Sequence, residues 1–553
     1  MERVLRELLK EAVSGVLAAP METIEIAPPK DEGFGDLCTP VAMSLTKLLK
    51  KPPRKIAEDI VSAIGKGITF EKIDIAGPGF INFIFSRSFI YKELRELITS
   101  GESFLVENIG GGRRIQIEFV SANPTGPMHL GHGRGAALGA ALSNLLSEAG
   151  YSVEREFYIN DAGRQVKLLG LSVFAKYKNL CGMHYPFPED GYKGDYIEDL
   201  AIDFSKLSNA GCHLPEEELL DIITNFSYNK MLISMTKDLE DFGVCFDTWQ
   251  SEKELFEKGE VTQAIDDLRE RGYIFEEDDA TWFRSTDFGD DKDRVVIKKN
   301  GEYTYFAPDI AYHRKKVALG FDELIDIWGA DHHGYVCRLQ AVIQALGCPK
   351  DSLRVLLVQM VSLLKDGQPV QMSKRAGEFI TLREVMDDIG ADTTKFLFLT
   401  RRSDSHLEID VKVAKAQSAE NPVYYVQYAY ARINSIFEKA KQESETSGVP
   451  AENMEQYLAA FNGDSFNDEE MNLIKKVLIY PMIFKNAALA HEPHRLTFYL
   501  QELAGMFHTY YHRYKIVGGD AELTRARLCL CLAIQIVLRH ALKILGVKAP
   551  DHM

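Results

Sequence analysis

Residues 114–136, RIQIEFVSANPTGPMHLGHGRGA, decide the fold. Ile115, Ile117 and Phe119 alternate with Gln116 and Glu118, the two-residue period of a strand. The run Ser121-Ala122-Asn123-Pro124-Thr125-Gly126-Pro127 is a loop by its proline and glycine content. A helix then opens at about His129, carries Leu138, Ala141, Leu142 and Leu145 on one face, and stops at Gly150. A second strand follows, with Val153, Phe157 and Ile159 on its inward side. Strand, helix and strand in so short a span form a βαβ unit. The expected core is therefore an α/β, Rossmann-like, doubly wound parallel sheet.

Outward from that unit, residues 1–110 mix helices, short strands and turns such as Gly77-Pro78-Gly79, which predicts an α+β N-terminal domain. It begins with an amphipathic helix in which Val4, Leu5, Leu8, Leu9 and Val13 share a face. Gly110-Gly111-Gly112 is a hinge. The sheet domain is expected over 111–410, with a polar insertion at about 185–300, and strands return at Glu302–Phe306, Leu324–Trp328 and Val355–Val361. From 411 to 553 the apolar periodicity is helical throughout, predicting an all-α C-terminal domain.

Composition bounds the function. The chain has 553 residues, 46% of them hydrophobic and 26% charged, as in a globular protein of several domains. No apolar run approaches the roughly twenty residues of a membrane span, and charges break any secretory h-region, so a cytoplasmic protein is expected. Eight cysteines are scattered without a CxxC pair, which argues against a zinc ribbon or a disulfide framework and leaves no structural metal to expect. The net charge of −17 argues against an indiscriminate polyanion binder but not against RNA, which needs only a local basic surface.

Two constellations carry chemistry. At the first strand-to-helix turn, His129-Leu130-Gly131-His132-Gly133-Arg134 offers small residues, free backbone N–H groups and two imidazoles at a helix N-terminus, all suited to phosphate. Taken alone, the same pair would equally serve as surface or metal-binding histidines. Far downstream, Gln371-Met372-Ser373-Lys374-Arg375 follows a strand and a turn, and a loop of that kind can close over a triphosphate. By itself it is an ordinary basic loop.

Together the two resemble the HIGH and KMSKS signatures of class I aminoacyl-tRNA synthetases. The surrounding stretches EFVSANPTGPMHLGHGRGA, FYINDAGRQ, YTYFAPDIAYH, IWGADHHGYV and VQYAYARI are similar to those of arginyl-tRNA synthetases, and the resemblance runs over essentially the whole chain. Two positions depart: Gln371 replaces the first lysine of the second signature and Arg375 its serine, whereas Lys374 matches the lysine credited with phosphate contact.

The resemblance implies ATP contacts at His129, Gly131, His132, Met372, Ser373, Lys374 and Arg375, with magnesium on the ATP phosphates. His129, His132 and Lys374 would stabilise the transferring charge. Arginine would be held by Glu118, Asn123, Glu252, Tyr305, Asp309 and Asp331, with Gln165 beside them. A guanidinium with five donors does call for fixed carboxylates.

In the last domain, Phe507, Tyr510, Tyr511 and Tyr514 interleave with His508, His512, Arg513 and Lys515, while Arg432 sits among Tyr424, Tyr425, Tyr428 and Tyr430. Aromatics beside cations suit unstacked bases, although many such rings belong to a helical core. The resemblance makes this the anticodon-binding domain and implies tRNA contact at Tyr510, Arg513, Tyr514 and Arg432. It also implies tRNA contact by the N-terminal domain and a monomeric ligase acting on tRNA(Arg), L-arginine and ATP. A tRNA-independent HxGH nucleotidyl transferase and a catalytically silent RNA-binding paralogue are the alternatives. The long helical domain speaks against the first, and the joint presence of His129, His132 and Lys374 against the second.

Overall fold

The computed structural model describes the chain apart from residues 22, 66, 208–213, 366, 370–379 and 448–465. The N-terminal unit contains α1 (Glu2–Leu17), β1 (Leu37–Thr39), α2 (Pro53–Ile64), β2 (Phe70–Ala76), β3 (Phe80–Phe85) and α3 (Arg87–Ser100). Its antiparallel sheet has the order β1-β3-β2. Leu5, Leu9 and Val13 of α1 are buried, as their spacing predicts.

The central unit runs β4 (Arg114–Glu118), α4 (Leu130–Glu148), β5 (Ser152–Ile159), α5 (Arg164–Leu180), α6 (Asp195–Leu207), α7 (Glu216–Asp241) and β6 (Thr248–Ser251). It continues with α8 (Glu252–Glu257), α9 (Glu260–Glu270), a small antiparallel sheet β7 (Ile274–Glu277), β8 (Ala280–Phe283) and β9 (Arg294–Ile297), then α10 (Phe306–Ala318) and β10 (Glu323–Gly329). After these come α11 (Val336–Ala345), β11 (Leu353–Val358), β12 (Val361–Lys365), β13 (Gln368–Pro369), α12 (Leu382–Ile389), α13 (Ala391–Phe398) and β14 (Leu407–Asp410). Five parallel strands stand in the order β11-β10-β4-β5-β6. This is the doubly wound order, with its reversal between β4 and β10.

Helices cover both faces of that sheet. Ile115, Ile117, Phe157 and Ile325 pack towards α4 in the larger core, while Tyr158, Leu324 and Leu353 join α9, α10 and α11 in a second. α5, α6 and α7 enclose a third core of their own around Phe174, Tyr177 and Phe204. The C-terminal unit is α14 (Pro422–Ser447), α15 (Asp468–Leu478), α16 (Tyr480–Ala490), α17 (His494–Arg513) and α18 (Ala521–Ile544). Ion pairs Arg87–Asp468 at 2.6 Å and Asp36–Lys475 at 2.8 Å join it to the N-terminal unit.

Three sequence expectations are corrected. The segment read as an insertion at 185–300 contains β6, the edge strand of the main sheet, paired in parallel with β5. Its four residues, Thr248-Trp249-Gln250-Ser251, are too short and polar to announce a strand. Glu302–Phe306 is not a strand either: Tyr303 makes only an isolated bridge to Ile297 and the helix α10 starts at Phe306. Pro308 lies in the first turn of that helix, where its missing N–H leaves no bond unmade. Val355–Val361 divides into β11 and β12, interrupted at Gln359 and Met360.

Candidate active site

The reversal of strand order opens a crevice at the carboxyl ends of β4 and β10, because the helices that follow them leave to opposite sides. His129, Gly131 and His132 occupy the N-terminus of α4 at this crevice. Asp331 lies in the 3-10 turn after β10, close enough for its charge to act on His129.

His129 caps α4. Its Nδ1 accepts the N–H of Gly131 at 3.0 Å and of His132 at 3.4 Å, while Nδ1 of His132 accepts the N–H of His129 at 3.4 Å. The rings stack with centroids 3.6 Å apart. With both Nδ1 atoms accepting, each neutral ring carries its proton on Nε2 and so presents a hydrogen-bond donor. Burial lowers the pKa of His129 against the raising effect of Asp331, and burial with the neighbouring His129 lowers His132 to about 3. These are neutral N–H donors rather than cations. A Cβ at Gly131 would come within 2.9 Å of the His129 ring, so the signature needs glycine there.

Glu252 and Asp309 form the second part of the site. Glu252, the first residue of α8, is only 6% exposed and accepts the Tyr158 hydroxyl at 2.8 Å. Asp309, in the first turn of α10, is half-buried and accepts the Tyr335 hydroxyl. Desolvation raises the Glu252 carboxyl to about 7, with the charges of Asp309 and Asp161 adding to it against the Tyr158 hydrogen bond. Desolvation likewise raises Asp309 to about 6, opposed by the Tyr335 hydrogen bond. Among the described residues each carboxylate meets a tyrosine hydroxyl and neither is in an ion pair. Tyr305 stands one turn before Asp309 at the N-cap of α10 and is 76% exposed.

Glu118 behaves differently. One oxygen meets Lys316 Nζ at 2.6 Å and the other accepts the Ser121 hydroxyl at 2.8 Å. Lys316 also meets Asp326 at 2.9 Å, and Asp326 lies 3.1 Å from Nε2 of His313. The carboxylate read as an amino-acid ligand is thus one member of a buried ionic layer under α10.

Beyond β4 the chain turns through Val120 at φ 70° and Ser121 at φ 40°, with the Ser121 N–H bonded to the Phe119 carbonyl at 3.0 Å. A β-branched residue in the left-handed region is strained. The turn directs Asn123 to Gln165 in the first turn of α5, and the Asn123 amide donates to the Gln165 carbonyl oxygen. Sequence reasoning missed Tyr158, Tyr335, Lys316, Asp326 and His313. The first two lie in the quoted stretches FYINDAGRQ and IWGADHHGYV, but each is far in sequence from the carboxylate it meets, so their resemblance-bearing stretches were the only signal.

Met372, Ser373, Lys374 and Arg375 lie outside the described residues, as does Gln371. The described residues that follow that segment meet the histidine turn: Thr381 bridges to His129, and the Leu382 N–H donates to the Met128 carbonyl at 2.8 Å.

In the helical unit Tyr510 is corrected. It is buried, with its hydroxyl donating to Glu470 at 3.1 Å, so it is a core residue without a face for a base. Arg513 and Tyr514 stay at the surface side of that helix, both bonded to Glu469 at 3.1 Å. Arg432 lies between the rings of Tyr428 and Tyr511, at 4.3 and 4.4 Å from their centroids.

With this geometry in place, similarity to known proteins assigns the parts. Residues 3–85 match the arginyl tRNA synthetase N terminal domain, residues 94–189 and 227–438 the class I (R) tRNA synthetase catalytic domain, and residues 426–553 the DALR anticodon binding domain. The chain is 46% identical to the arginine–tRNA ligase of Citrifermentans bemidjiense, with all of both chains covered. A solved putative arginyl-tRNA synthetase from Campylobacter jejuni is 34% identical with a TM-score of 0.77, covering 85% of this chain and all of its own. The Thermus thermophilus arginyl-tRNA synthetase superposes over the whole of both chains with a TM-score of 0.78 at 19% identity, a likeness of fold. By sequence along its full length and by the architecture around its paired histidines, the chain belongs to the arginyl-tRNA synthetase family.

Proposed function

We propose that this arginine–tRNA ligase holds the arginine guanidinium between Glu252 and Asp309 and the ATP phosphates at His129 and His132. The arginine carboxylate attacks the α-phosphorus of ATP in line, pyrophosphate leaves, and arginyl-adenylate remains. The 2′-hydroxyl of the terminal adenosine of tRNA(Arg) then attacks the acyl carbon and releases AMP. No side chain acts as nucleophile; positioning and electrostatics carry both steps.

The observation that carries this reading is the pair of raised, cation-free carboxylates beside a phosphate-type helix terminus. A planar cation satisfies both acids and their tyrosine partners at once, which a neutral side chain does not. Glu118 is tied through Lys316 to the helix that carries Asp309, and Asn123 with Gln165 is read as a further contact to the amino acid. The Nε2–H donors of the two histidines face charge that develops on phosphate, and Lys374, which matches the signature lysine, is read as a contact to the same phosphates. ATP enters as its magnesium complex. Among the described residues no group of three or more His, Cys, Asp or Glu is arranged to hold a metal.

Residues 1–110 and 411–553 are read as tRNA-contacting units around the catalytic unit at 111–410, with Arg432, Arg513 and Tyr514 on the RNA side. The chain is read as a cytoplasmic monomer; among the described residues no helix is long and apolar enough to cross a membrane. Pyrophosphate exchange with each of the twenty amino acids, with and without tRNA, tests the reading. Exchange with arginine alone, dependent on tRNA, supports it; exchange with another amino acid or none contradicts it.

A further inference from the structure

We infer that Asp161 is a positioning residue for the arginine pocket, fixing Glu252 by gripping the residue on each side of it. This rests on the reading of Glu252 as a guanidinium carboxylate. Asp161 lies two residues beyond the end of β5 and is half-buried. Its Oδ2 accepts the Ser251 hydroxyl at 2.7 Å, and its Oδ1 accepts the backbone N–H of Lys253 at 2.8 Å. Glu252 is the residue between them.

The proton count closes. Ser251 gives its one hydroxyl proton to Asp161 and uses a lone pair to accept the N–H of Glu254 at 3.2 Å, capping α8. The carboxylate of Asp161, an acceptor with no proton to give, meets only donors. Its third donor is the Tyr228 hydroxyl of α7 at 3.2 Å, which ties the same point to the α5–α6–α7 group.

Glu252 is therefore held at two places from a single strand end. Asp161 fixes its backbone, and Tyr158, three residues earlier on β5, holds its Oε2 at 2.8 Å. Ile159 and Ser251 are paired across β5 and β6, so the strand register brings the clamp and the clamped residue together. Without Asp161, the six-residue helix α8 would keep only Ser251 as its cap and the carboxylate could shift against Asp309. A displacement of about 1 Å is enough to lose much of a bidentate contact.

The test is a double-mutant cycle on the full chain in tRNA charging, with KM for arginine and for ATP and kcat read for each variant. Glu252→Gln is the reference. Asp161→Ala is expected to raise arginine KM about tenfold, to leave ATP KM unchanged, and to have little further effect on a Glu252→Gln background. Asp161→Asn, which keeps an acceptor for the Lys253 N–H, is expected to restore arginine KM to within about threefold of the parent.

An unchanged arginine KM in Asp161→Ala, while Glu252→Gln raises it, overturns the inference. So does an Asp161→Ala effect equally large in both backgrounds, or a parallel rise in ATP KM. An inert Glu252→Gln overturns the pocket reading itself and the inference with it, a distinct result. If Asp161→Ala does not fold, Ser251→Ala takes its place in the cycle, with a smaller rise in arginine KM and the same dependence on Glu252 expected.

Discussion

The Nζ of Lys316 lies 2.6 Å from the Glu118 carboxylate, joining the helix that carries Asp309 to the strand that leads into the histidine turn. Asp326 on the neighbouring strand completes the contact at 2.9 Å, and Lys316 and Asp326 are each 1% exposed. Burial works against the charge on this lysine, but Asp326 and Glu118 outweigh it and hold its pKa above the ordinary value. Removing the lysine leaves Asp326 only His313 and Glu118 only the Ser121 hydroxyl in place of their shared cation. Lys316→Met is expected to destabilise the fold by about 3–5 kcal/mol, measured by urea unfolding. A loss below about 1 kcal/mol would mean that water or protonation replaces the ion pair readily.

The pocket acids set the pH response. Glu252 and Asp309 are raised to about 7 and about 6 in the ligand-free protein, and binding a guanidinium requires both to ionise. Arginine affinity should therefore weaken as pH falls through 7 towards 5. Near pH 7, binding should release protons, seen as a calorimetric heat that depends on the buffer. The sign for stability is the opposite: with folded values above the unfolded ones, the free protein loses stability as pH rises from about 4 to 7, and arginine restores it. Buffer-independent heats at pH 6–7 would contradict the assignment of these acids.

The phosphate side is tested by substitution. His132→Ala and Lys374→Ala should each slow adenylate formation by about two to three orders of magnitude, as for other lost transition-state donors, with arginine binding little changed. Rapid-quench measurement of the first turnover checks this. Because burial holds His132 down to about 3, its contribution should stay flat from pH 5 to 8.

His129 and His132 are legible in the sequence because they stand at a strand-to-helix turn, where glycine, proline and histidine spacing is informative, whereas Glu252, Tyr305 and Asp309 follow only from the family resemblance. The βαβ unit over 114–159 follows from alternation and then helical spacing, and it anchors His129 and His132. The ionic layer was hidden. Gln116 and Glu118 alternate with apolar neighbours as they would on a solvent-facing strand, and Glu156 follows Glu154 and Arg155 in a charged run, yet all three are buried. Nothing local announces that Lys316, almost two hundred residues later, supplies the compensating charge. Tyr510 was misread for the related reason that a tyrosine among cations looks the same in sequence whether its ring faces RNA or core.

That distinction gives a prediction for the helical unit. Arg513→Ala and Tyr514→Ala should weaken tRNA binding with the fold intact by circular dichroism. Tyr510→Phe, which removes a buried hydroxyl bonded to Glu470, should lower stability by about 1 kcal/mol and leave tRNA affinity unchanged. A filter-binding assay in which Tyr510→Phe loses tRNA and the other two keep it would reverse the assignment.

The pocket itself is tested most directly by Asp309→Asn, which keeps the size and much of the hydrogen bonding of the side chain and removes its charge. Arginine KM in tRNA charging is the measurement, with ATP affinity read in parallel by a fluorescent analogue. Breaking one side of a desolvated charge pair costs about 3–5 kcal/mol, so arginine KM should rise about a hundredfold or more while ATP affinity stays near that of the parent. An arginine KM unchanged from the parent would contradict the account, because the guanidinium would then be held somewhere other than between Glu252 and Asp309.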